Sequence, residues 1–434
     1  MDHATPARFL AYPEAAATVT APAFAPPAPR TFLRSGRGAT HLQRQLPPPR
    51  PGLQVSVIIP AKDEAHHLPA ALAALAAQTD RHGRPLPAES FEVIVLANNC
   101  TDDTAAVVRQ AARRFPRLAL HVAELWLPPE EAHVGCARRL LMDAAWVRLE
   151  SGGRAGAGII ASTDADTRVA LNWLAVIQDE IAAGAAAVGG RILTEMPDPA
   201  LRSLRRLQAR DTAYHQLCAR LEGLVDPAPA DPWPRHHQHF GASLALTTAA
   251  YGQVGGLPEV RFLEDEALCR ALRRYDLIIR HSPEVQVLTS ARRQGRVEVG
   301  LSWQLGEWLQ LSQQQREPRV DNPAQLAELW RTRAQLRAYW AARAIVPPEL
   351  LADQLGLTAA ALQTRARRAV TFGALWEWGL KASAATTVYQ LPLSLALRDL
   401  PPLIKSCERR EPAEQAEISV FPADRADNFR LVGR

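Results

Sequence analysis

Short β-branched runs alternate with Ala- and Leu-rich helical stretches over much of the chain. Val55-Ser56-Val57-Ile58-Ile59-Pro60 is apolar enough to be covered on both faces, as strands of a parallel sheet are. Leu68 to Gln78 repeats its apolar positions at a helical spacing, and Phe91 to Leu96 reads as a second buried strand, so the three segments form a β-α-β unit. Thr101 to Phe115 follows as a helix, with Thr101 suited to the N-cap and Asp102 and Asp103 in the first turn. Further strands are predicted at Leu118 to Val122, through Ile159 and Ile160 to Ser162, and at Val285 to Thr289, with a long helix over Ala132 to Leu149. This alternation predicts a doubly wound, mostly parallel α/β sheet, whose ligands bind beyond the carboxyl ends of the strands.

The flanks follow other rules. Residues 1–52 are crowded with Ala and Pro and show no period that buries a face, which predicts a disordered leader. The folded domain is expected over 53–300, a Leu-, Ala-, Arg- and Gln-rich helical region over 301–410, and a polar tail over 411–434.

Composition narrows the function classes. Lys plus Arg exceeds Asp plus Glu by only 50 to 45 in 434 residues, without a basic block, so nucleic acid is not an expected partner. Five widely spaced cysteines with no Cys-x-x-Cys pair suit a reducing, cytoplasmic setting. No stretch approaches the roughly 20 apolar residues of a membrane span. The most apolar late window, Val370 to Leu397, is broken by Glu377, Lys381, Gln390 and Pro392. Peripheral contact with a membrane surface stays compatible with this pattern.

The candidate chemistry gathers at strand ends. Ser162-Thr163-Asp164-Ala165-Asp166 puts two carboxylates one residue apart after a buried strand, and extended-chain alternation aims both to one side. Hard oxygen donors of this kind suit Mg²⁺ or Mn²⁺ completed by substrate phosphates; the other reading is a pair of helix-capping acids. Pro60-Ala61-Lys62-Asp63-Glu64 ends the first strand, and Ala97-Asn98-Asn99-Cys100-Thr101-Asp102 the second, so three polar clusters share one sheet edge. The amides of Asn98 and Asn99 can both donate to and accept from a nucleobase or ribose. Arg292 and Arg293, in the turn after the last predicted strand, either clamp a diphosphate or form a solvated basic loop. His236-His237-Gln238-His239 lacks the separated ligands of a zinc site, which leaves substrate hydrogen bonding as the functional reading of His239.

In their order, VSVIIPAKDEAHHLPAALAAL, VIVLANNCTDDTAAVV, VGCARRLLMDAA and ASTDADT resemble the family-2 inverting glycosyltransferases of the GT-A fold, over about residues 53–300. The resemblance implies transfer of a sugar from a nucleoside-diphosphate sugar to an acceptor hydroxyl, usually with a divalent metal. It implies that Pro60, Ala61 and Glu64 line the nucleoside pocket, that Asn98 and Asp102 lie near base and ribose, and that Arg138 follows the diphosphate. Asp164 then contacts the donor and Asp166 the metal. Many relatives carry Asp where Asn98 stands, so the base is left open.

Phe262-Leu263-Glu264-Asp265-Glu266 resembles the family's acceptor-side segment, which implies Asp265 as the base and Glu264 as its neighbour in orienting loop or acceptor. Displacement at an anomeric carbon needs such a base opposite the leaving diphosphate. Two other functions stay beside this one: a sugar-phosphate nucleotidyltransferase, disfavoured by the missing glycine-rich loop after the first strand, and a non-catalytic nucleotide-sugar-binding scaffold. The acceptor is not named by any motif.

Overall fold

Strands β1 (Val55–Ala61) and β2 (Phe91–Asn98) are buried along nearly their whole length because both faces are covered. Val55, Val57, Ile59, Val93 and Val95 enter one core cluster, and Ile58, Ile94 and Leu96 enter the other. That two-sided burial is why the runs read as continuously apolar rather than alternating. In this computed structural model, residues 42–152, 155–195, 202–290, 300–341, 347–382 and 388–418 are described.

The chain continues through helix α1 (Leu68–Ala76), α2 (Thr104–Arg114), β3 (Ala119–Leu125), α3 (Val134–Ser151), β4 (Ile159–Ser162), β5 (Thr167–Val169), α4 (Trp173–Ala182) and β6 (Ala187–Glu195). Then come α5 (Arg202–Val225), a 3₁₀ turn at Gly241–Ser243, β7 (Leu244–Thr247), α6 (Thr248–Val254), α7 (Glu264–Arg274) and β8 (Ile279–Ser290). The eight strands lie in the order β3-β2-β1-β4-β7-β6-β8-β5. Pairings β3-β2, β2-β1, β1-β4 and β6-β8 are parallel, whereas β7 runs antiparallel to both β4 and β6, and β5 to β8. The α/β class with a large, mostly parallel sheet holds, and β1, β2 and β4 deliver their carboxyl ends to one edge.

Thr101 does not cap α2: that helix opens at Thr104 with Asp103 before it, because Asp102 takes over the first-turn hydrogen bond to Thr104 N–H at 2.9 Å.

The remaining helices are α8 (Leu301–Gln313), α9 (Pro323–Trp340), α10 (Pro348–Gln354), α11 (Ala359–Arg368), α12 (Phe372–Ala382) and α13 (Leu393–Ile418), with a small ribbon of β9 (Arg319–Asp321) and β10 (Gln390–Pro392). They hold two cores of their own. The expected boundary at residue 300 does not divide those cores from the sheet domain, since α5 supplies Leu204, Leu207, Tyr214 and Leu221 to the helical one. The expected leader is also shorter than 52 residues: Leu42 and Leu46 are buried against α3, and Gln45 exchanges hydrogen bonds with the Glu124 backbone at 3.0 and 3.1 Å. Two leucines just ahead of the Pro47-Pro48-Pro49 run carry no period, so pattern alone could not reveal their burial.

A buried ion pair fastens α3 to the sheet. Arg148 Nε and Nη2 donate to Glu92 at 2.8 and 2.5 Å, and Ser56 Oγ donates at 2.7 Å. Burial alone would raise the Glu92 pKa, but Arg148, His121 and Ser56 outweigh it and bring it from 4.5 down to about 2. A depressed carboxylate stabilises the fold above its unfolded pKa and loses that contribution as pH falls from about 4.5 toward 2. The difference corresponds to about 3 kcal/mol. Denaturant unfolding at pH 6 and pH 2.5 should show this loss, and Glu92→Gln, already weaker at neutral pH, should lose less on acidification.

Candidate functional site

Turns at the sheet edge, rather than the strands themselves, aim the polar groups. Asp63 after β1 and Asn99 after β2 both adopt left-handed backbone, at φ +50° each. Such values are uncommon for residues with a side chain and persist where the surroundings fix them. Asp63 Oδ1 accepts from Thr101 N at 2.5 Å and Oγ1 at 3.2 Å, Glu64 N donates to Thr104 Oγ1 at 2.8 Å, and Ala65 N to Asp102 Oδ2 at 3.0 Å. The two loops are thereby laced together. Asn99 is taken up in the same way, by a two-way pair with the Leu127 backbone at 2.9 Å each.

This lacing separates the predicted donor residues. Pro60, Ala61, Glu64, Asn98, Arg138, Asp164, Asp166, Glu264 and Asp265 line one cleft. Asp102 is not among its lining residues; its carboxylate accepts from Thr104 N and Ala65 N and so ties α2 to the β1–α1 loop. Arg292 and Arg293 lie outside the described residues. Asn98 is buried, and its Oδ1 has no hydrogen-bond partner within the protein. A buried acceptor without a partner costs free energy, so a donor group brought into the cleft would be favoured there.

Asp164 and Asp166 do reach the cleft together, but by a turn and not by extended alternation: Thr167 N donates to the Asp164 carbonyl at 3.1 Å, and Ala165 between them is buried. The turn is pinned from beneath, with Ser162 Oγ donating to Gly241 O at 2.9 Å and Thr163 Oγ1 to Ala242 O at 3.0 Å. The hydroxyls of Thr167 and Thr289 stand 3.5 Å from Asp166 Oδ1. Among the described residues no third His, Cys, Asp or Glu joins this pair as a ligand group. The one such group of three is Asp63, Cys100 and Asp102, where the two carboxylates already accept backbone N–H groups.

Arg138, one turn into α3, is the centre of the site. Its Nη2 donates to Asp164 Oδ1 at 2.7 Å, its Nη1 to Glu264 Oε1, and its Nε to Ser162 Oγ at 3.2 Å. Arg138 is only 4% exposed, and protein carboxylates already take both of its Nη groups. Burial works against its charge, but Glu264, Asp164 and Asp265 together raise its pKa further. Glu264 is raised in turn, chiefly by burial and by Asp265, against the pull of Arg138. Gly241 makes room for this: a Cβ there would overlap the guanidinium. Gly241→Ala should therefore push Arg138 off its two carboxylates and reduce turnover about 10²-fold, the size of effect an ångström-scale displacement produces, as initial rates would show.

On the far side of Arg138, Leu263, again left-handed at φ +56°, caps α7 and sets Glu264, Asp265 and Glu266 in its first turn, where carboxylates suit the helix dipole. Asp265 Oδ2 accepts from Gly241 N and Oδ1 from Glu266 N, both at 2.8 Å, so one lone-pair face of each oxygen is fixed by backbone. His239 is not a group waiting for substrate. Its Nε2 meets Glu266 at 2.5 Å and its Nδ1 meets His281 Nε2 at 3.3 Å, while His281 Nδ1 meets Asp231 at 2.8 Å. Burial would raise Glu266, but His239 and the nearby arginines outweigh it and bring it to about 2. The sequence offered no sign of this relay: His281 comes from β8, 42 residues after His239, and it is through His281 that Asp231 joins.

Residues 56–124 match the model described as Glycosyl transferase family 2, which spans β1 to β3. No curated protein matches the chain. Among solved structures, the chain is similar to the mannosyltransferase PcManGT from Pyrobaculum calidifontis in complex with GDP-Man and Mn²⁺, at 18% identity over 90% of this chain and 94% of that one, with a TM-score of 0.36. It is also similar to S. aureus TarS 1-349 with UDP-GlcNAc, at 14% identity over 76% and 91%, TM-score 0.37. A third is glucosyl-3-phosphoglycerate synthase from Mycobacterium tuberculosis, at 16% over 66% and 87%, TM-score 0.34. Scores of this size describe partial overlap and carry no substrate or metal across to this chain.

Proposed function

We propose that this chain, a glycosyl transferase family 2 protein over residues 56–124, moves one sugar from a nucleoside-diphosphate sugar to an acceptor hydroxyl with inversion at the anomeric carbon. The observation that carries the reading is the Arg138 clasp. One guanidinium joins Asp164, beside Asp166 on the donor turn, to Glu264, beside Asp265 on the acceptor helix. The two sides of a displacement are thereby held at fixed spacing. The cleft, at about 2310 Å³, exceeds the ~1,000 Å³ upper end of common small-ligand pockets and suits two substrates at once.

In this reading Pro60, Ala61 and Glu64 flank the nucleoside, and the unpartnered Asn98 Oδ1 accepts a donor hydrogen from the base. Asp166 and the open side of Asp164 would hold Mg²⁺ or Mn²⁺: the donor set is two half-exposed carboxylates with hydroxyls nearby, which fits a hard cation that keeps waters and phosphate oxygens as its remaining ligands. Such an ion, when bound, neutralises charge on the departing diphosphate. Asp265 removes the proton from the acceptor hydroxyl as its oxygen bonds to the anomeric carbon and the carbon–oxygen bond to the diphosphate breaks. The Gly241 and Glu266 N–H groups keep that carboxylate aimed while leaving acceptor capacity on each oxygen. Five free cysteines are in keeping with a reducing, cytoplasmic location, and among the described residues no helix is long and apolar enough to cross a membrane.

A thermal-shift series with UDP-, GDP- and dTDP-sugars, each with and without Mn²⁺, tests the donor half. One base should stabilise by about 2.7 kcal/mol at a hundredfold excess over its Kd. The Mn²⁺-dependent part should vanish in Asp166→Ala. Silence from every nucleotide would remove the donor site and with it the proposal.

A further inference from the structure

The cleft does not stop at Asp265. It runs on beneath the C-terminal helices, where Trp330, Trp340, Phe372 and Trp376 line it together with Arg333 and His237. This aromatic wall is docked firmly on the helix that carries Asp265. At the far end of α7, the Asp276 carboxylate accepts from Phe372 N and Gly373 N at 2.7 Å each, and Gly373 lies so close to the Arg273 backbone that a Cβ would overlap it. The rings of Trp340 and Phe372 are 6.1 Å apart, and the Arg337 guanidinium sits 4.7 Å above Phe372.

Several of the charges that line this compartment are paired within the protein. Arg333 pairs with Glu222 at 2.8 Å and with Asp226, Arg337 also pairs with Asp226, and Glu377 takes both Arg274, at 2.6 Å, and Lys381, at 2.8 Å. An anionic ligand therefore gains little from these paired groups. A purely hydrocarbon ligand would fare no better, since it would strip water from these ion pairs without replacing its hydrogen bonds. One further polar atom points to a ligand with hydroxyls: His237 Nδ1 is buried without a partner, on a ring stacked against His215 at 4.5 Å. Burial holds that imidazole well below its usual pKa, so it is neutral and able to accept or donate.

We infer that this helical compartment is the acceptor site and that the acceptor is a neutral saccharide, its ring faces laid on the tryptophans and its hydroxyls on the ion pairs and His237. The inference rests on the transfer reading above, and it makes the helical region the part of the chain that selects the acceptor. Aromatic rings offer an apolar body for sugar C–H faces, and paired guanidinium and carboxylate groups offer planar donors and acceptors for hydroxyls.

Saturation-transfer NMR on the full chain, with UDP or GDP present and absent, tests it against three ligand sets: neutral mono-, di- and trisaccharides, the corresponding sugar phosphates, and short n-alkyl alcohols. A neutral saccharide should bind, with affinity at least tenfold lower in Trp330→Ala and Trp376→Ala and largely restored in Trp376→Phe, all with melting curves recorded. Binding confined to sugar phosphates or alkyl alcohols, or saccharide binding indifferent to both tryptophans in folded variants, overturns the inference. Consumption of a nucleotide sugar with no saccharide bound also overturns it. Saccharide binding without consumption of any nucleotide sugar instead supports the site and sinks the transfer reading.

Discussion

Arg138→Met should lose 3–5 kcal/mol of stability, on the order expected when one partner of a buried ion pair is removed, and at least about 10²-fold in turnover. The size follows from what the guanidinium leaves behind. Asp164, Glu264 and Asp265 all raise its pKa, so without it the buried Glu264 loses its partner and is left beside two more carboxylates. The stability loss should shrink as pH falls, because protonating Glu264, whose pKa is already raised, relieves part of the repulsion. Arg138→Lys cannot rescue both contacts, since an ammonium lacks the planar fork that reaches Asp164 and Glu264 at once. Denaturant curves at pH 5 and pH 8, with initial rates on the donor selected by thermal shift, measure both effects. A variant with full stability would show that the clasp does not hold the site.

Asp265→Asn should lower turnover about 10²- to 10⁴-fold, the range for removing a general base, with the donor-induced thermal shift retained. The substitution is nearly isosteric, and the carbonyl oxygen of Asn can still accept from Gly241 N or Glu266 N, so the loop geometry has support without the charge. Glu264→Gln should behave otherwise: it loosens Arg138 and so costs stability as well as rate. That contrast separates the base from its neighbour, which the sequence could only rank by resemblance.

The strands of the sheet's first half were legible because burial on both faces leaves an apolar run that few other structures produce, as Val55–Ala61 and Phe91–Asn98 show. The antiparallel β7 and the pairing of β6 with β8 were not, because Leu244–Thr247 is four residues long and its partners come from both earlier and later in the chain. Among site residues, Pro60, Ala61, Glu64, Asn98, Asp164 and Asp166 reached the cleft as strand-end position suggested. Asp102 did not, because an acid at a helix start is equally suited to capping, and only Ala65 N decides between the two. Arg138 was seen as a donor-side cation and became an internal clasp, a difference created by Glu264, 126 residues away. The relay from Glu266 through His239 and His281 to Asp231 is likewise a product of tertiary contact.

The central claim, that Asp265 drives a single displacement across the Arg138 clasp, is tested most directly by the anomer first released from the donor. Proton NMR can follow wild-type enzyme with Mn²⁺ and the nucleoside-diphosphate α-sugar it binds, with water as acceptor. Inversion predicts the β anomer at early times, before mutarotation, at a rate cut at least about 10²-fold in Asp265→Asn. Early release of the α anomer, or equal rates in the two proteins, would contradict it.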